Sequence, residues 1–398
     1  MAFKTLQTGI NSLVAGDILE VRSGVYAEQI TDISWANTGS SWSNPIILRG
    51  YAGDARPVVR PGPHRGHTWL FERENLKYLL ISGLEIDGCN NTFSEGTVFN
   101  TWSGAIRLEN CVIRNAPRDG IGARTWENTP WAIATDIQIR NNHITHCGLK
   151  SEVREDSKGS GIYIEFHDSV VENNLIEDCV SGIISHGGKI SPTQCSNVII
   201  RNNRILRGGT ATSFQNPTTK YGTGITLAHG KKRVYNNVIF RFPDTNGLSA
   251  CIWVWDHSDG TEIDNNTCVG STTGVILGNS WGSGHHVINT KLRNNIWSAV
   301  AMGIKDLSGG GTEASHNLTN PPQSTIFINH RKGDFRLRAG SPAINNGMTL
   351  PFVKNDVVGT PRPQGGAYDI GAYEYVSSSK RHRQKGKSLH PNLVRTSK

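Results

Sequence analysis

At 398 residues the chain is long enough for two ordinary domains or for one elongated repeat array. Only 36% of it is apolar, glycine reaches 44 residues, and neither heptads nor long 3.6-period apolar stripes occur, which excludes a helical bundle and a coiled coil. The formal charge of +8 belongs to the end of the chain: without Lys380, Arg381, Arg383, Lys385, Lys387, Arg395 and Lys398, 34 basic residues face 33 acidic ones.

Residues 376–398 therefore read as a disordered basic tail on a nearly neutral body. The tail has no interleaved aromatics on which bases could stack, so no nucleic acid is expected as a partner. No run is long and apolar enough to span a membrane, and no membrane partner is expected. Met1-Ala2-Phe3-Lys4-Thr5 leads straight into structured sequence with no signal peptide in view. The seven cysteines form no CxxC pair and no zinc spacing, and their odd count argues against a disulfide framework.

In chain order, Leu6, Ile10, Leu13 and Val14 have helical spacing and predict a short amphipathic helix. A turn at Ala15-Gly16-Asp17 and a strand over Ile18–Arg22 follow, then Ser23-Gly24-Val25-Tyr26 turns again. Such a helix would cover the open end of a sheet stack, which otherwise exposes unpaired backbone. Residues 1–30 are read as this cap and first turn. Further strands are expected at Pro45–Gly50 and Pro57–Val59.

A repeat then sets in. The phrase Asn-Asn-x-(apolar) occurs at Asn141, Asn173, Asn202 and Asn236, with weaker copies at Asn265 and Asn294; the spacings are 32, 29, 34, 29 and 29 residues. Between the copies lies a phrase of glycine and alternating apolar residues: Gly120–Arg124, Gly161–Glu165, Gly182–His186, Gly224–Ala228, Cys251–Trp255 and Gly274–Gly278. Each phrase alternates with period two, as a half-buried strand should. Several short strands per period, repeated at least six times, predict an all-β solenoid over residues 31–320, its turns stacked in parallel at about 4.8 Å. Asparagine suits the bends because it tolerates left-handed dihedrals, and stacked amides can hydrogen-bond along the coil. Cys147 and Cys179 fall at equivalent positions of neighbouring turns, as a disulfide or as two buried thiols.

These phrases make the chain resemble the right-handed parallel β-helix, or pectin-lyase-like, superfamily. Phe3-Lys4-Thr5-Leu6-Gln7, Ala15-Gly16-Asp17-Ile18 and Ser23-Gly24-Val25-Tyr26 resemble the first turn of its secreted bacterial members. Phe335-Arg336-Leu337, Gly340-Ser341-Pro342-Ala343-Ile344 and Asp369–Glu374 resemble their C-terminal segment, read here as a closing segment over 321–375. The resemblance implies a single-stranded right-handed parallel β-helix with an N-terminal capping helix, at or beyond the cell surface. It also implies a leader ahead of residue 3, so the sequence reads as a fragment.

If second and fourth residues of each glycine phrase point inward, third and fifth point outward. The fifth position then stacks Arg124, Glu165, His186, Ala228, Trp255 and Gly278; the third stacks Gly122, Tyr163, Ile184, Thr226, Trp253 and Ile276. His229 and Asp256 come just after, and Lys189 and Lys231 align with each other at the edge. Two outward tryptophans in one strand need a covering loop or a stacked ligand. Each residue also has a plainer reading. Glu165 could pair with Arg124, His186 could be a satisfied surface histidine, Trp253 and Trp255 could pack under residues 210–221, and the lysines could be solvated.

For the resembled superfamily the implied chemistry is a polysaccharide lyase cleaving a uronate-containing glycan by β-elimination. A base removes the proton α to the carboxylate, and a cation neutralises that carboxylate. His186 or Lys189 would be the base, Arg124 or Lys231 the cation, with His229 beside them and Tyr163, Trp253, Trp255 and Asp256 as sugar contacts. Calcium could serve instead, but no cluster of acids marks a site for it. A glycoside hydrolase is the second reading. Glu165 and Asp256 lie three turns apart, roughly 14 Å, too far for the usual carboxylate pair, so Glu152, Glu155 or Asp156 would have to join Glu165. A non-catalytic glycan-binding or surface protein is the third. The expected state is a monomer.

Overall fold

The computed structural model describes residues 2–31, 38–61, 67–71, 76–88, 96–124, 135–148, 159–187, 195–208, 222–242, 249–278 and 286–377. Among the described residues three parallel sheets, of 11, 11 and 10 strands, extend from Ile18 to Thr319. The first begins at Ile18–Val21, the second at Val25–Tyr26 and the third at Ile30–Thr31; each turn of the coil adds one strand to each sheet. Few helical residues occur among the described ones, the longest run being Leu6–Asn11.

Alternation within each strand fills the coil with stacked aliphatic side chains. In the first sheet Leu48, Ile81, Leu108, Ile139, Val171, Ile200, Val234, Ile263 and Leu292 pair in register, all of them buried. In the second, Ile113, Ile144, Ile176, Ile205 and Ile239 do the same before Cys268 and Trp297 take the inward position. A parallel sheet buried on one face in this way has a strongly specified register, because a one-residue slip would turn every isoleucine outward.

The doubled asparagines make the bend between the first two sheets. The first asparagine of each pair is left-handed, with φ of 54° at Asn141, 57° at Asn173, 56° at Asn202 and 55° at Asn236. The second is buried and turned along the coil. Nδ2 donates from Asn142 to Asn174 at 3.1 Å, and at 3.0 Å from Asn174 to Asn203, Asn203 to Asn237, Asn237 to Asn266 and Asn266 to Asn295. The other Nδ2 proton goes to a main-chain carbonyl one turn back, as Asn203 does to Val171 at 2.9 Å. The leading glycine of each phrase has a steric reason. A Cβ at Gly182 would lie 2.4 Å from Ile205 Cγ2 and 2.4 Å from the Gly224 carbonyl oxygen.

The helix at Leu6–Asn11 is capped by Thr5, whose hydroxyl accepts from the Thr8 N–H, and it buries Leu6 and Ile10 with Leu13 against the core. Val14, expected on its apolar face, lies past the helix end and is 52% exposed. Cys147 and Cys179 are adjacent buried thiols, with the Val180 N–H donating to the Cys147 carbonyl at 3.1 Å. Beyond Leu318–Thr319 the chain runs back along the outside of the coil. Phe335, Ile370, Ala372 and Tyr373 cover Val238, Val269 and Ile296, the outward residues of the second sheet. The Gly371 N–H donates to the Asn294 carbonyl at 2.7 Å, and buried Arg362 pairs with Glu374 at 2.8 Å.

Asn203→Ala removes both donors and the acceptor of one rung while leaving its neighbours buried. An unpaired buried polar group costs about 1–3 kcal/mol, so the substitution is expected to cost about 2–4 kcal/mol, read from urea unfolding, whereas Asn346→Ala on the exposed C-terminal segment should change little. Equal effects would show that the ladder contributes no special stability.

Candidate active site

The outer face of the third sheet carries the polar and aromatic column. Ala123, Ile164, Ser185, Leu227, Val254 and Leu277 pair in register, so the residues after them, Arg124, Glu165, His186, Ala228, Trp255 and Gly278, follow one another along the coil. Gly122, Tyr163, Ile184, Thr226, Trp253 and Ile276 form the neighbouring column. Both columns match the register read from the glycine phrases.

At the upper end Arg124 is not a solitary cation. It is ion-paired with Asp119, which is fully buried, and its guanidinium lies over the Tyr163 ring, 4.2 Å from the centroid. Asp119 is itself anchored by the Ser160 N–H at 2.9 Å and the Ser160 hydroxyl at 2.7 Å. Desolvation works against the Arg124 charge, but Asp119, Tyr163 and Glu165 together leave its pKa raised. Tyr163 stays a neutral phenol, its pKa pushed up by burial and then by Glu165. The expected simple Arg124–Glu165 pair is thus replaced by a shared arrangement in which Asp119 holds the guanidinium.

His186 sits at the centre. Its ring is 6.4 Å from Tyr163, 5.4 Å from Trp255 and 4.9 Å, edge to face, from His229. Burial first, then the nearby His229 and Lys232, push its pKa down to about 4, so the imidazole is neutral at pH 7. Its Nδ1 is buried and has no hydrogen-bond partner among the described residues.

His229 and Asp256 sit in the turns that leave the third sheet, both left-handed, at φ 57° and 43°. His229 Nε2 lies 3.3 Å from Asp256 Oδ2, and His257 Nε2 lies 3.4 Å from Asp256 Oδ1. Asp256, expected to touch sugar, is therefore a buried bridge between two imidazoles. His257 and His286 continue the row, with centroids 6.0 Å from His229 to His257 and 4.6 Å from His257 to His286. The short loop phrases around them carried no strand periodicity, and only the position of His257 one residue past Asp256 signalled it.

Two other expectations change. Trp253 is 8% exposed and donates its indole N–H to the Gly278 carbonyl at 3.0 Å, packed against Ala250 and Ile276. It lies beside Trp255, 6.1 Å away ring to ring. Lys231 turns toward the first sheet, where its Nζ lies 3.1 Å from Glu262 beside Arg233 and Arg293, away from the His186 face. Lys189, Glu152, Glu155 and Asp156, and residues 210–221, lie outside the described residues. Among the described residues no group of three or more His, Cys, Asp or Glu is disposed to hold a metal ion. None of the described helices is long and apolar enough to cross a membrane.

His186 has a depressed pKa in the folded state and about 6.5 when unfolded. The folded protein thus binds fewer protons between those values, and stability should fall as pH drops from about 6.5 to about 4. NMR titration of the ring is expected to give a midpoint near pH 4, and His186→Gln should flatten that part of the stability profile. A midpoint near 6.5 would refute the buried, neutral assignment.

The family model described as a right-handed beta helix region matches residues 79–268. The pectate lyase Pel9A structure is similar with a TM-score of 0.67 at 16% identity, covering 93% of this chain and 90% of that one. The XylC–xylose complex is similar with a TM-score of 0.55 at 12% identity, covering 93% and 95%. No curated protein sequence matches significantly. At these identities the likeness is one of fold. The chain has the fold of a right-handed parallel β-helix.

Proposed function

We propose that the chain is a polysaccharide lyase that cleaves an acidic, uronate-containing glycan by β-elimination on the outer face of its third sheet. The observation that carries this reading is a neutral, largely buried His186 between Tyr163 and Trp255, with Arg124 two turns away. A neutral imidazole can accept a proton; an imidazolium cannot. In the proposed step the His186 imidazole takes the proton α to the uronate carboxylate. The electron pair passes through the enolate to form the C4–C5 double bond, and the glycosidic C4–O bond breaks with its electrons on oxygen. The departing oxygen picks up a proton from Tyr163 or from water.

The carboxylate needs positive charge as the enolate forms. Arg124 supplies part of it, and Lys189, three residues past His186 in sequence, is retained on sequence grounds alone as the alternative base. Trp255 offers an apolar face for a sugar ring. The fold likeness to a pectate lyase agrees with an acidic glycan as substrate, and a polymer of that size is met outside the cell, where we place the activity. The hydrolase reading is weaker because the described carboxylates are engaged. Asp256 meets two histidines and Asp119 meets Arg124 and Ser160, so the reading would rest on Glu165 with Glu152, Glu155 or Asp156.

Incubation with polygalacturonate, alginate and glycosaminoglycans, with and without calcium, should release unsaturated uronides detectable by ultraviolet absorbance. His186→Ala should lower that rate about 100-fold or more with little change in fold. Reducing ends without unsaturation would transfer the assignment to the hydrolase, and binding without turnover to a glycan-binding protein.

A further inference from the structure

Among the described residues Lys232 alone of the lysines is buried, at 1% exposure. It opens the Lys232–Tyr235 strand of the first sheet in register with Val198, so its side chain takes an inward, normally apolar position. No described carboxylate lies within ion-pair distance of its Nζ. The ammonium instead donates to the carbonyls of Ala228 at 2.8 Å and Gly230 at 3.1 Å, and to that of His229. An ammonium has three N–H donors, and all three are spent on three consecutive carbonyls.

Those carbonyls belong to the turn by which the chain leaves the third sheet. His229 and Gly230 are both left-handed there, with φ of 57° and 74°. Two successive left-handed residues are costly when the first carries a side chain, and an oriented cation inside the bend holds them. The same turn sets the site: Ala228 is the register partner of His186, and the His229 ring meets both Asp256 and His186. A buried charge without a counter-ion is expensive, so a structural role alone would be served more cheaply by a bend without one.

We propose that Lys232 is a positioning residue of the candidate active site: it pins the 228–230 turn so that His229 meets Asp256 and His186, and it keeps a positive charge beneath His186. The inference rests on the proposed reading only in taking His186 as the base. The groups that face His186 are Tyr163 and Glu165 from the preceding turn, His229 and Asp256 from the following ones, and Lys232 from within; Cys195 and His167 are further titratable groups close to Lys232 among the described residues. Burial draws Lys232 down to about 8, which leaves it charged at pH 7, where it disfavours a second charge on the imidazole above it.

The test follows histidine ring signals of the full chain by NMR. Lys232→Gln keeps two N–H donors and loses the charge; Lys232→Met loses both. In K232Q the His186 midpoint should rise by about half a unit or more, and the acid limb of the turnover profile should move with it. In K232M the His229 ring signal should shift as well. A folded K232Q with an unmoved His186 midpoint overturns the proposal. Should neither variant fold, the wild type carries the test. As the Lys232 ammonium loses its proton near pH 8, the His186 and His229 rings should shift in the same step, and rings that stay still through it overturn the proposal. Rings that respond in a protein that cleaves no uronate polymer would sink the elimination reading and leave the positioning role standing.

Discussion

The asparagine ladder is the interaction on which the rest of the coil depends. A bend between two sheets exposes main-chain groups that the next turn must satisfy, and here one side chain does it repeatedly. Asn203 donates to Val171 and Asn237, and its oxygen accepts both the main-chain and the side-chain N–H of Asn174. Every hydrogen-bonding atom of that amide is used in the buried interior, where an unused one would be costly. The preceding asparagine supplies the left-handed residue that turns the chain. Two adjacent asparagines thus perform two different tasks, which explains why the pair recurs as a pair.

With the rungs fixed, the third sheet becomes a scaffold of constant pitch, and the chemistry comes from what differs between its turns. Arg124, Glu165, His186 and Trp255 occupy one column because they occupy one position in the repeat. The charges that tune them lie off the repeat. Asp119 stands just ahead of its glycine phrase and reaches Arg124. Lys232 replaces an inward aliphatic and gathers the carbonyls of the next bend. Asp256 bridges His229 and His257. Each is buried, and each has its charge met by named groups within reach, which is the condition for keeping it there.

The C-terminal segment shows how the coil handles its other outward faces. Val238, Val269 and Ile296 alternate with inward residues and would present an apolar stripe to water. Phe335, Ile370 and Tyr373 cover that stripe, tied by the Gly371 N–H to Asn294 and by the Asn265 side chain to the carbonyl of Asp369. The second sheet is thereby closed to ligands along much of this stretch, while the third sheet keeps His186 and Trp255 only partly buried.

Period-two alternation and the doubled asparagines were legible in the chain itself, and they determined the solenoid, the inward isoleucines and the columns of the third sheet, while helical spacing marked the capping helix. That part is readable because a stacked repeat converts sequence offset into spatial neighbourhood by a constant rule. What a side chain does after leaving its strand obeys no such rule. Lys231 and Lys232 are adjacent in sequence, yet one reaches out to Glu262 and the other inward to three carbonyls. Arg124 was visible as a cation, but Asp119 holds it through a turn geometry that no periodicity encodes. Trp253 and Trp255 share a residue type and lie two positions apart, yet Trp253 is buried with its indole N–H on the Gly278 carbonyl while Trp255 packs on the same cluster only partly buried. The repeat determined where each residue stands along the coil; burial, and the hydrogen bonds that burial demands, decided which of them face solvent and which are held by neighbours.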